Sequence, residues 1–261
     1  MSAYSFLNHI EAFGSKVLFK RAQTELTYNQ FAKQVEKKRL TYKKIGLAHK
    51  VIALKIENTE DALSSFLALA SIQSIIVPFY KSVPDNITVV IEATIEINSE
   101  ITFNESTIAD ECINELRKTN SSGLIISTSG TSGSPKWIVH RFDSLLSKYI
   151  HLQKPIIVPL VYQLDNISGI ETFTSVACGG GTLICLPSNT PQQFAHNLKT
   201  VDLAPNVLSV TPSFLKLVIL ANGHKLLPGI NRVNLGGEKL TRQDLELFQK
   251  GFSKAQIFSF Y

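Results

Sequence analysis

Short apolar runs alternate with helical stripes along most of these 261 residues, and that alternation leaves few architectures open. Thr27 can cap a helix in which Tyr28, Phe31, Ala32 and Val35 recur at i, i+3, i+4 and i+7. Residues 51–56 read as a buried strand. The next helix, capped by Asn58 or Thr59, carries Ala62, Leu63, Phe66, Leu67 and Ala70 on one stripe, and 75–78 is a second short strand. Strand, helix, strand in that order implies a parallel βαβ unit with a right-handed crossover. Residues 88–97 are rich in strand formers, and 108–116 has a helical pattern. Beyond them the alternation resumes. Strands are expected at 124–126, 137–139, 156–158, 182–186, 207–210, 233–235 and 257–259. Helices are expected over 142–150, 167–178, 191–198 and from Thr211-Pro212 to Asn222, with a last one opened by the capping box of Thr241 and Asp244. The class is therefore α/β, an open and mostly parallel sheet covered by helices. Ligands in such sheets collect beyond the carboxyl ends of the strands. The polar residues 118–122 mark a junction between two lobes, 1–120 and 121–261.

Between the strands at 124–126 and 137–139 lies Ser127-Thr128-Ser129-Gly130-Thr131-Ser132-Gly133-Ser134-Pro135-Lys136. Gly130 and Gly133 can take positive φ and let a ligand approach the backbone closely. A turn so dense in hydroxyls and backbone N–H groups suits a polyphosphate. Lys136 adds positive charge, and Pro135 stiffens the exit. A flexible Ser/Gly linker is the competing reading, but linkers are seldom clamped between apolar strands. The common P-loop does not fit, because no glycine precedes Lys136 and Trp137 follows where a Mg²⁺-binding hydroxyl should stand. Gly236-Gly237-Glu238 is a second glycine turn after a strand, which taken alone is an ordinary strand-to-helix connection.

Composition sets the remaining bounds. The formal charge is +5, with Lys37, Lys38, Arg39, Lys43 and Lys44 clustered. A solvated helix face explains that cluster, with weak steering of anionic ligands as the alternative. No aromatic residues interleave with it, which argues against nucleic acid as a partner. No apolar run is long enough to span a bilayer, and the N-terminus lacks the pattern of a secretory signal. Cys112, Cys178 and Cys185 form no C-x-x-C pair, so buried free thiols in a reducing cytoplasm are expected. No His/Cys cluster has metal-ligand spacing, and Glu171 and Glu238 form no evident acid pair.

The run STSGTSGSPKWIVH resembles the T-S-G-[ST]-[ST]-G-x-P-K-G-V signature of the adenylate-forming enzymes, which include acyl- and aryl-CoA synthetases, peptide-synthetase adenylation domains and luciferases. Leu26-Thr27-Tyr28, and the helix-then-strand from Leu67 to Pro78, also resemble that family. The resemblance implies the large N-terminal domain of an acetyl-CoA-synthetase-like enzyme. It implies an ATP- and Mg²⁺-dependent activation of a carboxylic acid to an acyl-adenylate, then a thioester with CoA or a carrier protein. Thr128, Ser129, Gly130, Thr131, Ser132 and Gly133 would hold the outer phosphates, with Lys136 as the catalytic charge. Gly236, Gly237 and Glu238 look like the adenine-contacting segment, and Tyr261 stands where the family has an aromatic residue packed on adenine.

Trp137 departs from the family glycine and implies less room beside the loop. His140 stands as in the P-K-G-V-V-H form of some CoA ligases, although a lone histidine is more often structural. Residues 159–169 resemble the P-L-x-H-x-x-G segment near the acyl pocket, with Asn166 nearest to the family histidine. Asp165 resembles the amino-group ligand of amino-acid-activating domains, but its spacing to the next strand fits a surface residue better. The family continues past Tyr261 with G-x-T-E, an S-T-G-D aspartate and a small C-terminal domain, so this chain is expected to be an N-terminal portion with little adenylation activity alone. A CoA ligase, an amino-acid adenylation domain and an inactive nucleotide-binding module all remain open.

Overall fold

The computed structural model describes residues 2–56, 60–81, 91–96, 100–104, 111–128, 136–151, 154–222 and 229–260. In chain order the elements are α1 (Ala3–Glu11), β1 (Val17–Lys20), β2 (Glu25–Thr27), α2 (Tyr28–Lys44), β3 (Val51–Lys55), α3 (Glu60–Ser71), β4 (Ile75–Phe79), β5 (Ala93–Ile95), β6 (Ile101–Phe103) and α4 (Glu111–Lys118). They continue with β7 (Gly123–Thr128), β8 (Lys136–Arg141), α5 (Phe142–Ser147), β9 (Ile157–Pro159), α6 (Ile167–Cys178), β10 (Thr182–Ile184), α7 (Pro191–Lys199), β11 (Val207–Val210), α8 (Pro212–Ala221), β12 (Arg232–Gly236), α9 (Arg242–Gly251) and β13 (Gln256–Phe260).

Local chemistry explains most of these boundaries. The Thr27 hydroxyl accepts from the Gln30 N–H while the Gln30 side chain accepts from the Thr27 N–H, so α2 starts with two of its orphan donors satisfied. Thr211 and Thr241 cap α8 and α9 with one bond each, their hydroxyls accepting from the Phe214 and Asp244 N–H groups, and at α9 the Asp244 carboxylate accepts from the Thr241 hydroxyl. The described part of the helix expected at 108–116 is α4, and 105–110 lie outside the described residues, as do Asn58 and Thr59. The helix expected over 142–150 stops at Ser147 and passes into a turn. Of the β-rich stretch, Ala93–Ile95 forms a strand, paired with β3 and β6.

Among the described residues the strands form three sheets, ordered β6-β5-β3-β4-β7-β8, β2-β1-β10-β9 and β11-β12-β13. Pairing is parallel except at the β5–β6, β7–β8 and β1–β2 pairs. The sheets do not follow the division expected at residue 120. β7 and β8 complete the sheet of β3 and β4, while β1 joins β10 at Phe19↔Leu183. Polar residues 118–122 are a turn that drops the chain from α4 back into that same sheet.

The main core crosses the same line. Helix α3 is buried on all sides from Ala62 to Ser71, as a helix enclosed between layers must be. Phe66 meets Phe142 edge-on at 5.3 Å, joining α3 to α5. The buried Tyr28 hydroxyl donates to the Val176 and Gly181 carbonyls at 3.2 and 2.9 Å, fastening the start of α2 to α6 and β10. A second core lies under the three-stranded sheet and holds Phe194, Leu208, Leu215, Val233, Leu235 and Phe248. Cys178 and Cys185 are buried as expected of structural thiols, but Cys112 is exposed because it lies on the outer face of α4.

Candidate nucleotide site

The hydroxyl-rich loop leaves the sheet where an open α/β fold presents ligands. β4 and β7 run parallel from Ile75↔Gly123, and β8 returns antiparallel with Thr128 opposite Lys136. The two ends of the loop are thus held at ladder distance beyond the carboxyl end of β7. Ser129, Gly130, Thr131, Ser132 and Gly133 lie outside the described residues, as does Tyr261, and Thr128 is described only through its backbone. Lys136 is exposed at the first position of β8.

Alternation along β8 explains the tryptophan that departs from the family signature. Trp137 and Val139 pack against Val51, Ile75, Val77, Ile113, Leu116 and Ile125. The indole therefore anchors the hairpin to the core on the α4 side, while the loop beside which it was expected to take up room lies outside the described residues. His140, on the other face of the strand, is half-buried. Burial chiefly, with the charge of Lys148, lowers its pKa against the opposing pull of Glu171. Its imidazole is held towards the neutral form.

The turn at 236–238 sits at the carboxyl end of the three-stranded sheet. β11, β12 and β13 end together, with Val210 opposite Leu235 and Gly236 opposite Phe260. Gly237 takes φ +81, a left-handed conformation that favours glycine. Gly236 is different. A Cβ built there would meet the Tyr162 hydroxyl at 3.5 Å and the Phe260 carbonyl oxygen at 3.7 Å, both ordinary contacts. Its φ does not lie in the left-handed region. Among the described residues, neither backbone conformation nor packing requires a glycine at 236.

Two side-chain hydrogen bonds tie this turn to other parts of the chain. Glu238 Oε2 accepts from the Ser213 N–H at 3.0 Å, so its carboxylate caps the positive N-terminal end of α8. The nucleotide contact expected of Glu238 thus competes with a helix cap. The Tyr162 hydroxyl donates to the Gly236 carbonyl at 3.3 Å. Tyr162 is half-buried, and burial, with the nearby negative charge of Glu238, pushes its pKa up to about 12, so it stays a donor at neutral pH.

Tyr162 was not singled out from the sequence. The available signal was its place in the 159–169 segment, where counting from Pro159-Leu160 puts Tyr162 at the fourth position of P-L-x-H-x-x-G. In that segment Asn166 caps α6, its side-chain oxygen accepting from the Gly169 N–H at 3.0 Å. A Cβ on Gly169 would lie 2.0 Å from the Gln163 carbonyl oxygen, so the tight return from 163 to 169 demands glycine. Asp165 is half-buried, partly open to solvent, and burial raises its pKa.

Among the described residues no group of three His, Cys, Asp or Glu could hold a metal. Two shallow depressions, about 260 Å³ between α1 and α2 and about 230 Å³ around Arg21 and Glu60, include none of the candidate site residues. Among the described residues no helix is long and apolar enough to cross a membrane.

A family profile described as "AMP-binding enzyme" matches residues 81–261. Peramine synthetase A of Epichloe festucae is 28% identical over 134 residues, which is 49% of this chain and 5% of that protein. D-alanine–D-alanyl carrier protein ligases are 29% identical over 152 residues in Streptococcus agalactiae and 31% over 150 in Streptococcus pneumoniae, each spanning 52% of this chain and 29% of the relative. The matched part of the chain is thus less than a third of the length of these relatives. The N-terminal domain of FACL13 from Mycobacterium tuberculosis superposes on the whole chain with a TM-score of 0.76 at 14% identity, with 75% of that structure covered. A luciferase-like enzyme from the Zophobas morio mealworm gives 0.75 at 16% identity, again over the whole chain and 72% of that structure. At such identities these structures speak for the fold alone, and they agree with the mixed α/β architecture with parallel sheets.

Proposed function

The chain belongs to the AMP-binding enzyme family, and on that footing we propose that it supplies the nucleotide-facing part of a ligase that activates a carboxylic acid as its acyl-adenylate. In that reaction a carboxylate oxygen bonds to the α-phosphorus of ATP and pyrophosphate leaves, with Mg²⁺ carried on the phosphates. Charge accumulates on the phosphates, so the protein contributes mainly position and electrostatic stabilisation. In this reading the 128–133 loop cradles the β- and γ-phosphates, and Lys136 offsets their charge. The base lies against Gly236 and Gly237, with Tyr261 on its face. Glu238 acts one step back, bracing the turn from α8.

The observation that carries the reading is Gly236, a glycine that neither its backbone conformation nor packing against the described residues demands, at the carboxyl end of a parallel strand. The stem of the phosphate loop at Thr128 and Lys136 supports it from a second sheet.

For the acceptor thiol, a carrier protein is favoured over CoA, because the ligases similar to this chain are named for a D-alanyl carrier protein. Their names also favour an amino acid as the substrate. The half-buried Asp165, whose spacing had suggested a surface residue, gives that reading a carboxylate that could meet an ammonium group. A CoA-dependent acyl or aryl acid ligase and an inactive nucleotide-binding module are the alternatives. The test is ATP–pyrophosphate exchange by the full-length protein against a panel of amino acids and simple carboxylic acids, followed by thioester formation on CoA or a carrier protein. Exchange that depends on one acid supports the ligase. Binding of AMP without exchange points to the module, and neither activity refutes the assignment.

A further inference from the structure

The turn at 236–238 receives a hydrogen bond from a part of the chain that belongs to another sheet. Tyr162 follows β9, in the irregular stretch that leads through Asp165 and Asn166 into α6, and its hydroxyl reaches the Gly236 carbonyl 74 residues away at 3.3 Å. The same stretch is fixed at its start, where Leu160 donates to the Ile184 carbonyl at 2.9 Å and accepts from the Asn189 side-chain amide at 2.8 Å. It is fixed at its end by the Asn166 cap on α6. The ring of Tyr162 is therefore carried on a segment held at both ends, and its hydroxyl bonds the turn at Gly236, two residues before the Glu238 brace.

We propose that Tyr162 is a positioning residue for the nucleotide, its hydroxyl setting the orientation of the Gly236 carbonyl and hence of the turn on which the base would rest. This rests on the nucleotide-binding reading of that turn. A phenylalanine would keep the ring and its packing but leave the carbonyl without this donor.

The test uses the full-length protein, with AMP and inorganic pyrophosphate as separate probes in calorimetric titrations. Tyr162→Phe is expected to weaken AMP roughly three- to tenfold, the range of one net hydrogen bond. Its pyrophosphate affinity should stay within about twofold, because that probe reports on the distant loop. A control is Tyr42→Phe, which removes a buried hydrogen bond to Ser65 Oγ of 3.1 Å on α3 and should leave AMP affinity unchanged. Equal AMP affinity for the unaltered protein and Tyr162→Phe would overturn the proposal. So would a parallel loss of both probes with a Tm fall beyond about 4 °C, which marks a merely structural role. If the unaltered protein does not bind AMP, the parent reading fails and this one with it.

Discussion

Replacing Gly236 with alanine separates a glycine needed by the chain from one needed by a ligand. The added methyl would sit 3.5 Å from the Tyr162 hydroxyl and 3.7 Å from the Phe260 carbonyl oxygen, with no left-handed φ to strain it. Glycine to alanine at a compatible position stabilises by about 0.4–1 kcal/mol, chiefly by restricting the unfolded chain. For a chain of this size that raises Tm by roughly 1–4 °C. If an adenine ring rests on this backbone, the same methyl enters a filled contact. Overpacking of that kind costs about 1–3 kcal/mol, or roughly 5- to 150-fold in Kd. The assay pairs thermal denaturation with AMP titration on one preparation. The expected result is opposed signs, a protein equally or more stable that binds AMP less well. Gly237→Ala supplies the contrast, since φ +81 penalises any side chain and both readouts should fall together. Undiminished AMP binding by Gly236→Ala would refute the ligand argument. A clear loss of stability would refute the packing argument beneath it.

Three further perturbations address other parts of the site. Lys136→Ala should weaken pyrophosphate and ATP about 10- to 100-fold, the scale of a charge-assisted contact, and unchanged titrations would remove the lysine from the phosphate site. Trp137→Gly restores the family signature but should destabilise by roughly 2–4 kcal/mol, because the half-buried indole packs on the Ile75 and Ile125 cluster. Urea denaturation with less than about 1 kcal/mol of change would deny it an anchoring role. His140 is held below its ordinary value of 6.5, so between that value and its lower folded one the unfolded chain binds more protons. Its contribution to stability should be complete above pH about 6.5, decline as pH falls from there, and level off below the folded value. His140→Gln should flatten that part of the stability profile, and an unchanged slope would show the imidazole to be unperturbed.

The parts of this fold that were legible in the sequence are those that neighbours along the chain decide. Thr27 and Gln30 announce the start of α2, and the stripe of Tyr28, Phe31, Ala32 and Val35 faces the core as its spacing requires. The order of strands and helices, and the glycine turn after β12, follow from the same short-range rules. Sheet membership was not legible. β1 and β10 carry no mark that Phe19 will pair with Leu183, and a polar run at 118–122 looks the same whether it joins two lobes or turns within one sheet.

The sequence by itself determined an α/β chain with a hydroxyl-rich loop and a glycine turn after a strand, because propensity, capping and motif spacing act within a few residues, and the likeness of both to the adenylate-forming family came from resemblance. The tertiary structure alone decided that Trp137 serves the core, that Glu238 caps α8 and that Tyr162 holds the Gly236 carbonyl. The last two depend on groups 25 and 74 residues apart meeting at hydrogen-bond distance, and the first on apolar side chains from several elements meeting around one indole. Burial and direction at such a meeting point come from packing, and packing leaves no periodic trace in the chain.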